Sequence, residues 1–194
     1  MAGGWRQVWE GVRLITLAVI AAVLLRSCVG ETYRVQGSSM EPTLRDGQRL
    51  LVNRLAYRLH PPRTGDIVVF RRPTPPGAAR GPAADFVKRV IATGGETVSM
   101  RDGVVAIDGR RLAEPYLPPL WRGHDDLRPI TVPAGQVWVL GDNRDRSLDS
   151  RFFPTHFVPL RSIQGRAVLI WWPPRAFHSL LGRNPGPSSP ATPG

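Results

Sequence analysis

Glycine and proline each occur 20 times among the 194 residues of this chain. Proline lacks the amide donor that a helix interior needs, and glycine loses the most backbone freedom when fixed in one. A chain punctuated this often is confined to short elements joined by turns, which points to a mainly β fold. Hydrophobic residues make up 42% of it, enough for one packed core at this length. Gly65-Asp66 leads into an apolar run over 67–70, and residues 86–91 read as another strand. Residues 97–100 and 104–107 flank Asp102-Gly103 as a hairpin, and Asp108-Gly109 is a further turn signal. Residues 136–140 and 167–172 complete the strand candidates. Residues 71–84 read as a Pro/Gly/Arg-rich loop, 182–194 as a disordered tail.

The amino-terminal end departs from this pattern. Residues 14–25 form an uninterrupted apolar run. As helix it spans about 18 Å, short of a hydrocarbon core of about 30 Å. Extended over 9–29 it reaches about 31 Å, with Arg13 and Arg26 snorkelling and Trp9 at an interface. The expectation is a short cytoplasmic start over 1–13 and one transmembrane helix over 14–29. A cleaved signal peptide has an apolar region of the same length. Against it, Arg26-Ser27-Cys28-Val29 offers no clear small-x-small cleavage site. Cys28 is the single cysteine, so no internal disulfide can form.

The formal net charge is +11. The arginines are scattered and form no stripe, and no helix-turn-helix, zinc-finger or RNA-binding signature is present, so nucleic acid is not an expected partner. A solvated basic surface and attraction to anionic lipid both fit. One detail is sharper. Of the 26 basic residues only Lys88 is lysine. Arginine stays protonated in any protein, whereas a buried lysine can lose its proton and act as a base. A GC-rich coding bias would also leave one stray lysine.

Three segments can carry chemistry. Gly37-Ser38-Ser39-Met40-Glu41-Pro42-Thr43 is a turn able to expose a hydroxyl beside backbone N–H groups, as a nucleophilic serine requires. In Asp85-Phe86-Val87-Lys88-Arg89-Val90-Ile91, strand alternation puts Phe86, Lys88 and Val90 on one face. Apolar neighbours there would desolvate the amine and lower its pKa; an edge-strand lysine that discourages aggregation is the simpler reading. Gly141-Asp142-Asn143-Arg144-Asp145-Arg146-Ser147-Leu148-Asp149-Ser150-Arg151 is a solvated charged loop or a polar scaffold for a site. None of the four histidines sits in a motif with an acid partner. No Cys/His cluster, P-loop or GxGxxG occurs, so neither metal nor cofactor is expected.

Together and in this order, with Gly65-Asp66-Ile67-Val68 between the first two, these segments resemble the boxes of bacterial type I signal peptidases, a family of membrane-bound Ser/Lys proteases. The resemblance runs from about Tyr33 to Trp172. It implies Ser39 as nucleophile and Lys88 as general base, with Ser147 orienting the amine. It implies Asp142, Arg89, Asp149 and Arg151 as charged supports, and Tyr33, Val35, Phe86 and Val87 as the lining of shallow pockets for small substrate residues. Some members carry a serine two places before the nucleophile that helps hold the oxyanion. This chain has Gly37 there, so the backbone of Ser39 and Gly37, or water, is left to do so.

The resemblance further implies a partly open, barrel-like core of antiparallel sheets over 32–178, of the signal peptidase and LexA type, with a hairpin extension near 97–128. It implies an endopeptidase that removes signal peptides after Ala-x-Ala. The implied partners are those peptides, membrane lipid and the export machinery; the implied location is the plasma membrane, single-pass, with the catalytic domain outside. Residues 167–172 would meet the lipid interface or lie in the core. A self-cleaving regulator of the LexA type shares the chemistry but carries a DNA-binding domain where this chain has its apolar run. A catalytically dead membrane-surface module is the remaining alternative.

Overall fold

The computed structural model describes residues 9–18, 30–71 and 85–182. Residues 72–84 of the expected loop, 19–29 of the expected membrane helix and the tail from 183 onward lie outside these. Residues 9–18 are helical. Among the described residues no helix is long and apolar enough to cross a membrane.

The rest is two antiparallel sheets. The larger contains β1 (Glu31–Arg34), β2 (Arg49–Asn53), β3 (Ile67–Arg71), β4 (Asp85–Thr93), β9 (Gln136–Leu140), β10 (Val158–Pro159), β11 (Ile163–Trp172) and β12 (His178–Ser179). Its strand order is β1-β2-β11-β3-β4-β9-β10, with β12 also on β11. The path ends at β1 on one side and β10 on the other, so the expected barrel-like form is corrected to an open sheet with no closure among the described residues. The smaller sheet holds β5 (Thr97–Arg101), β6 (Val104–Ile107), β7 (Arg110–Arg111) and β8 (Leu127–Thr131), in the order β7-β6-β5-β8. It is the extension expected near 97–128, carried on to Thr131.

Local chemistry explains the elements. In β3, Ile67, Val68, Val69 and Phe70 are all buried, as befits a strand paired on both edges with both faces covered. The β5–β6 turn has positive φ at both Asp102 and Gly103, and the β6–β7 turn repeats this at Asp108 and Gly109. That is the primed geometry whose twist suits a two-residue hairpin. Two strands escape a reading by pattern. β2 is leucine-based and short, and β8 contains Pro129. Proline is tolerated in β8 because that strand lies at the sheet edge. β11 starts four residues earlier than the apolar run, at Ile163, because Gly165 lets it approach β2. A Cβ there would meet the Asn53 carbonyl oxygen at 2.6 Å.

Three apolar clusters fill the interior. Met40, Leu44, Leu50, Val52, Val69 and Ile170 pack beneath β1 and β2. Val68, Phe70, Val90, Val139 and Phe153 pack on the other face of β3 and β4. Ile91, Val98, Val105, Trp138 and Leu140 join the two sheets. Strand β4 therefore runs from an exposed end at Asp85 into deep burial from Lys88 to Ala92, and this gradient sets up the site.

Candidate active site

Lys88 pairs in register with Val68, on the side of β4 that also carries Phe86 and Val90. The side chain is 3% exposed. Its Nζ lies 2.7 Å from Ser39 Oγ and donates to it, and donates also to the Val87 carbonyl at 3.0 Å. The two residues stand 49 positions apart in the chain. The amine lies 5.4 Å from the Phe86 ring centroid. Burial lowers the amine from 10.5 to about 8, against the opposing pull of the Asp149 and Asp142 carboxylates. Desolvation prevails because neither carboxylate is a direct partner, each being committed to an arginine.

Those commitments are both two-pronged. Arg89 Nε and Nη2 donate to Asp142 at 2.9 and 2.6 Å, with both side chains buried. The Arg89 guanidinium also stacks 3.6 Å over the Tyr116 ring and donates to the Gly65 carbonyl. Arg151 Nε and Nη2 both reach Asp149 at 2.9 Å, and Arg151 continues to Asp125 and the Arg144 carbonyl. Asp149 in turn accepts from the Gly141 N–H at 3.0 Å. Arg144, also buried, pairs with Glu114, which accepts from the Tyr116 hydroxyl at 2.7 Å. Planar arginine forks are suited to such bidentate pairs. They brace the loop over 141–151 against β4 and the segment before β8.

Two expectations need correction. Ser147 is buried beside Gly141, but its hydroxyl has no hydrogen-bond partner, so the expected bond to the amine is not made. A Cβ on Gly141 would collide with that hydroxyl and with the Ser39 carbonyl oxygen, which shows how tightly the three are packed. The Gly37 N–H, expected as an oxyanion donor, already donates to Asp46 at 2.8 Å. The turn there uses the positive φ of Gly37, and the N–H is directed into it.

The Ser39–Lys88 pair opens onto a cleft of about 680 Å³. Tyr33, Val35, Phe86 and Val87 all line it, with Ser38, Ser39 and Met40 on one wall and Arg146 and Leu148 beyond. Its sides are strand edges. Among the described residues β1 pairs only with β2. β4 pairs with β3 over 85–89, while β9 takes its other edge only from Arg89 onward. At the far end of the cleft, the Tyr33 hydroxyl donates to Gln164, which donates to Asp85 at 2.7 Å. Burial pushes the Tyr33 hydroxyl up to about 12, so it stays a donor.

Pattern reading missed Tyr116, Glu114 and Gln164. They come from stretches with no local chemical signal, and only the folded chain brings them near. Asn143 and Arg144 were within a recognised motif but had no role assigned. Among the described residues no group of His, Cys, Asp or Glu is arranged to hold a metal.

Residues 8–172 match the family described as "Signal peptidase, peptidase S26". The chain is 40% identical over 174 residues to a probable signal peptidase I-1 of Synechocystis, covering 87% of this chain and 85% of that protein. It is 42% identical over 168 residues to a signal peptidase I of Leptolyngbya laminosa, covering 84% and 79%. Against the signal peptidase I of Mycobacterium tuberculosis the identity is 36% over 220 residues, covering 87% and 75%. Among solved structures, a signal peptidase I from Enterococcus faecalis is similar at a TM-score of 0.45 and 34% identity, over 55% of this chain and 97% of that one.

Proposed function

Because the chain belongs to the signal peptidase family, peptidase S26, we propose that Ser39 and Lys88 are the dyad with which this serine endopeptidase removes signal peptides from exported preproteins. The observation that carries the assignment is the 2.7 Å contact between Lys88 Nζ and Ser39 Oγ, with the amine buried.

The cleft lined by β1 and the first residues of β4 suits an extended peptide, which would add as a strand beside β1 and gain main-chain hydrogen bonds. Tyr33, Val35, Phe86 and Val87 supply a shallow wall, and small side chains such as alanine fit it. Neutral Lys88 takes the proton from Ser39 Oγ as that oxygen bonds to the scissile carbonyl carbon. The carbonyl oxygen gains the electron pair and becomes the oxyanion. Collapse of this intermediate expels the new amino terminus, to which Lys88 returns the proton. Lys88 then deprotonates a water molecule, whose oxygen displaces Ser39 from the acyl carbon and releases the signal peptide. Asp142 and Asp149 act through their arginines by fixing the loop around the dyad, and Ser147 fills the space behind it.

The amino-terminal apolar segment serves as a single membrane anchor, with the catalytic sheets on the outer side. Trp172, Phe177 and Leu181 expose apolar surface near the end of β11, and Trp172 is 47% exposed. An aromatic group of this kind suits a lipid interface. The LexA-like reading has no observation in its favour, since the family match over residues 8–172 is to signal peptidases.

The test is cleavage of a preprotein in detergent. Ser39→Ala and Lys88→Arg each reduce it by about 10³-fold or more, as loss of a nucleophile or base does. Both variants keep the wild-type circular dichroism. Full activity in Lys88→Arg would refute the dyad, since guanidinium cannot supply a neutral amine.

A further inference from the structure

The loop over 141–143 grips the nucleophile turn from behind. The Asn143 N–H donates to the Ser39 carbonyl at 3.1 Å, and the Asn143 side-chain amide donates to the Ser38 carbonyl at the same distance. The Ser38 oxygen accepts a second bond, from the Glu41 N–H at 3.1 Å. Asn143 is buried, and its neighbour Asp142 is locked by Arg89, so the amide is held where it stands.

A trans peptide is planar, and its C=O and N–H point in opposite directions. With the Ser38 oxygen turned toward Asn143, the Ser39 N–H faces away from the 141–143 loop. No described residue accepts a hydrogen bond from it, and Ser39 itself lines the cleft. The Gly37 N–H is engaged by Asp46 and cannot take its place.

We propose that Asn143 is a positioning residue, which fixes and polarises the Ser38–Ser39 peptide so that the Ser39 N–H is presented to the oxyanion. This rests on Ser39 being the nucleophile. As the Ser39 Oγ–carbon bond forms, the Oγ proton passes to Lys88 and the carbonyl pair moves onto oxygen, which accepts from the Ser39 N–H. A hydrogen bond on one end of a peptide strengthens donation from the other. Preorganised donors of this kind are among the largest contributors to acyl-transfer catalysis.

The experiment uses the full-length protein in detergent, a synthetic signal peptide substrate, and the variants Asn143→Ala and Asn143→Leu. Leucine keeps the buried volume and removes the donor. Losing an oxyanion donor outright costs about 10²–10³ in kcat, and misplacing one is expected to cost about tenfold. The inference expects that fall in kcat with KM within about twofold, and an unchanged pH midpoint of kcat/KM because Lys88 is untouched. A peptide aldehyde forms a hemiacetal by adding Ser39 Oγ across its carbonyl. Its binding should weaken by the same factor, while that of a cleaved product peptide should hold. Wild-type kcat in either folded variant would overturn the inference. So would a loss confined to KM, or one accompanied by a shifted pH midpoint. Ser39→Ala is run in parallel. If it is inactive while the Asn143 variants are normal, only the positioning role fails; if it is active, the nucleophile assignment fails as well.

Discussion

At the scale of the residue, one side chain does two opposed things. Lys88 is costly to bury as a cation, and that cost lowers the amine's pKa as the proposed role of base requires. The folded-state pKa, about 8, lies below the ordinary 10.5. Between these values the unfolded chain binds more protons than the folded one, so stability rises with pH across that window. Below about 8 the penalty is fully present. Lys88→Met removes the penalty while keeping much of the stem's volume. The variant should therefore be more stable at pH 7 by up to about 3 kcal/mol, from a shift of roughly two and a half units, and the gap should close as pH approaches 10.5. Urea unfolding of both proteins at pH 7 and pH 10 checks this, and a gap that does not change with pH would count against it. This residue was also the most legible in the sequence. A lone lysine among arginines, flanked on its own face by Phe86 and Val90, already carried the physical reason for its burial and for the role proposed for it. That the Ser147 hydroxyl makes no bond to the amine was not legible, because a hydroxyl's partner depends on packing around Gly141 that no motif encodes.

At the scale of the element, β4 and the 141–151 loop make the site by meeting the turn at Ser39. The strands with dense β-branched or aromatic runs, β3, β4 and β9, could be read directly from pattern, as could the two Asp-Gly turns. Those defined by their neighbours, β2, β8 and the early part of β11, could not. Pro129 is acceptable in β8 only because the edge it disrupts faces no partner, and Gly165 matters only because Asn53 lies against it. The closest packing joins Gly141 to Ser39 and Ser147. Gly141→Ala should leave the sheets folded, at a cost of about 1–3 kcal/mol for overpacking, but displace the nucleophile turn. Cleavage should fall by about 100-fold, as misplacement by an ångström can produce. The check is kcat together with the thermal midpoint. Full kcat would mean the loop can yield without moving Ser39.

At the scale of the whole molecule, the open sheet leaves a cleft lined by β1 and the first residues of β4, and exposes apolar side chains near Trp172. The mainly β class was legible from glycine and proline density together with the short apolar runs and turn signals. The absence of closure was not, because closure depends on whether β1 and β10 meet, and neither strand's sequence says so. The proposal that the catalytic sheets rest on lipid puts the exposed Trp172 and Phe177 at the contact. Changing both to serine should leave hydrolysis of a soluble peptide unaltered. It should slow processing of a vesicle-inserted preprotein by about tenfold, the scale expected for losing part of two aromatic contacts with an apolar phase. Equal effects on both substrates would place these residues in the fold's packing instead.

The central claim is that the neutral form of the Lys88 amine, which grows as pH rises through about 8, takes the Ser39 proton. Since the chain has one lysine, selective labelling of lysine Cε gives a single side-chain signal whose titration can be followed by NMR beside the rate. The account predicts a midpoint near 8 that coincides with the rise of kcat/KM; a midpoint near the ordinary lysine value, with the rate already at its plateau below it, would contradict it.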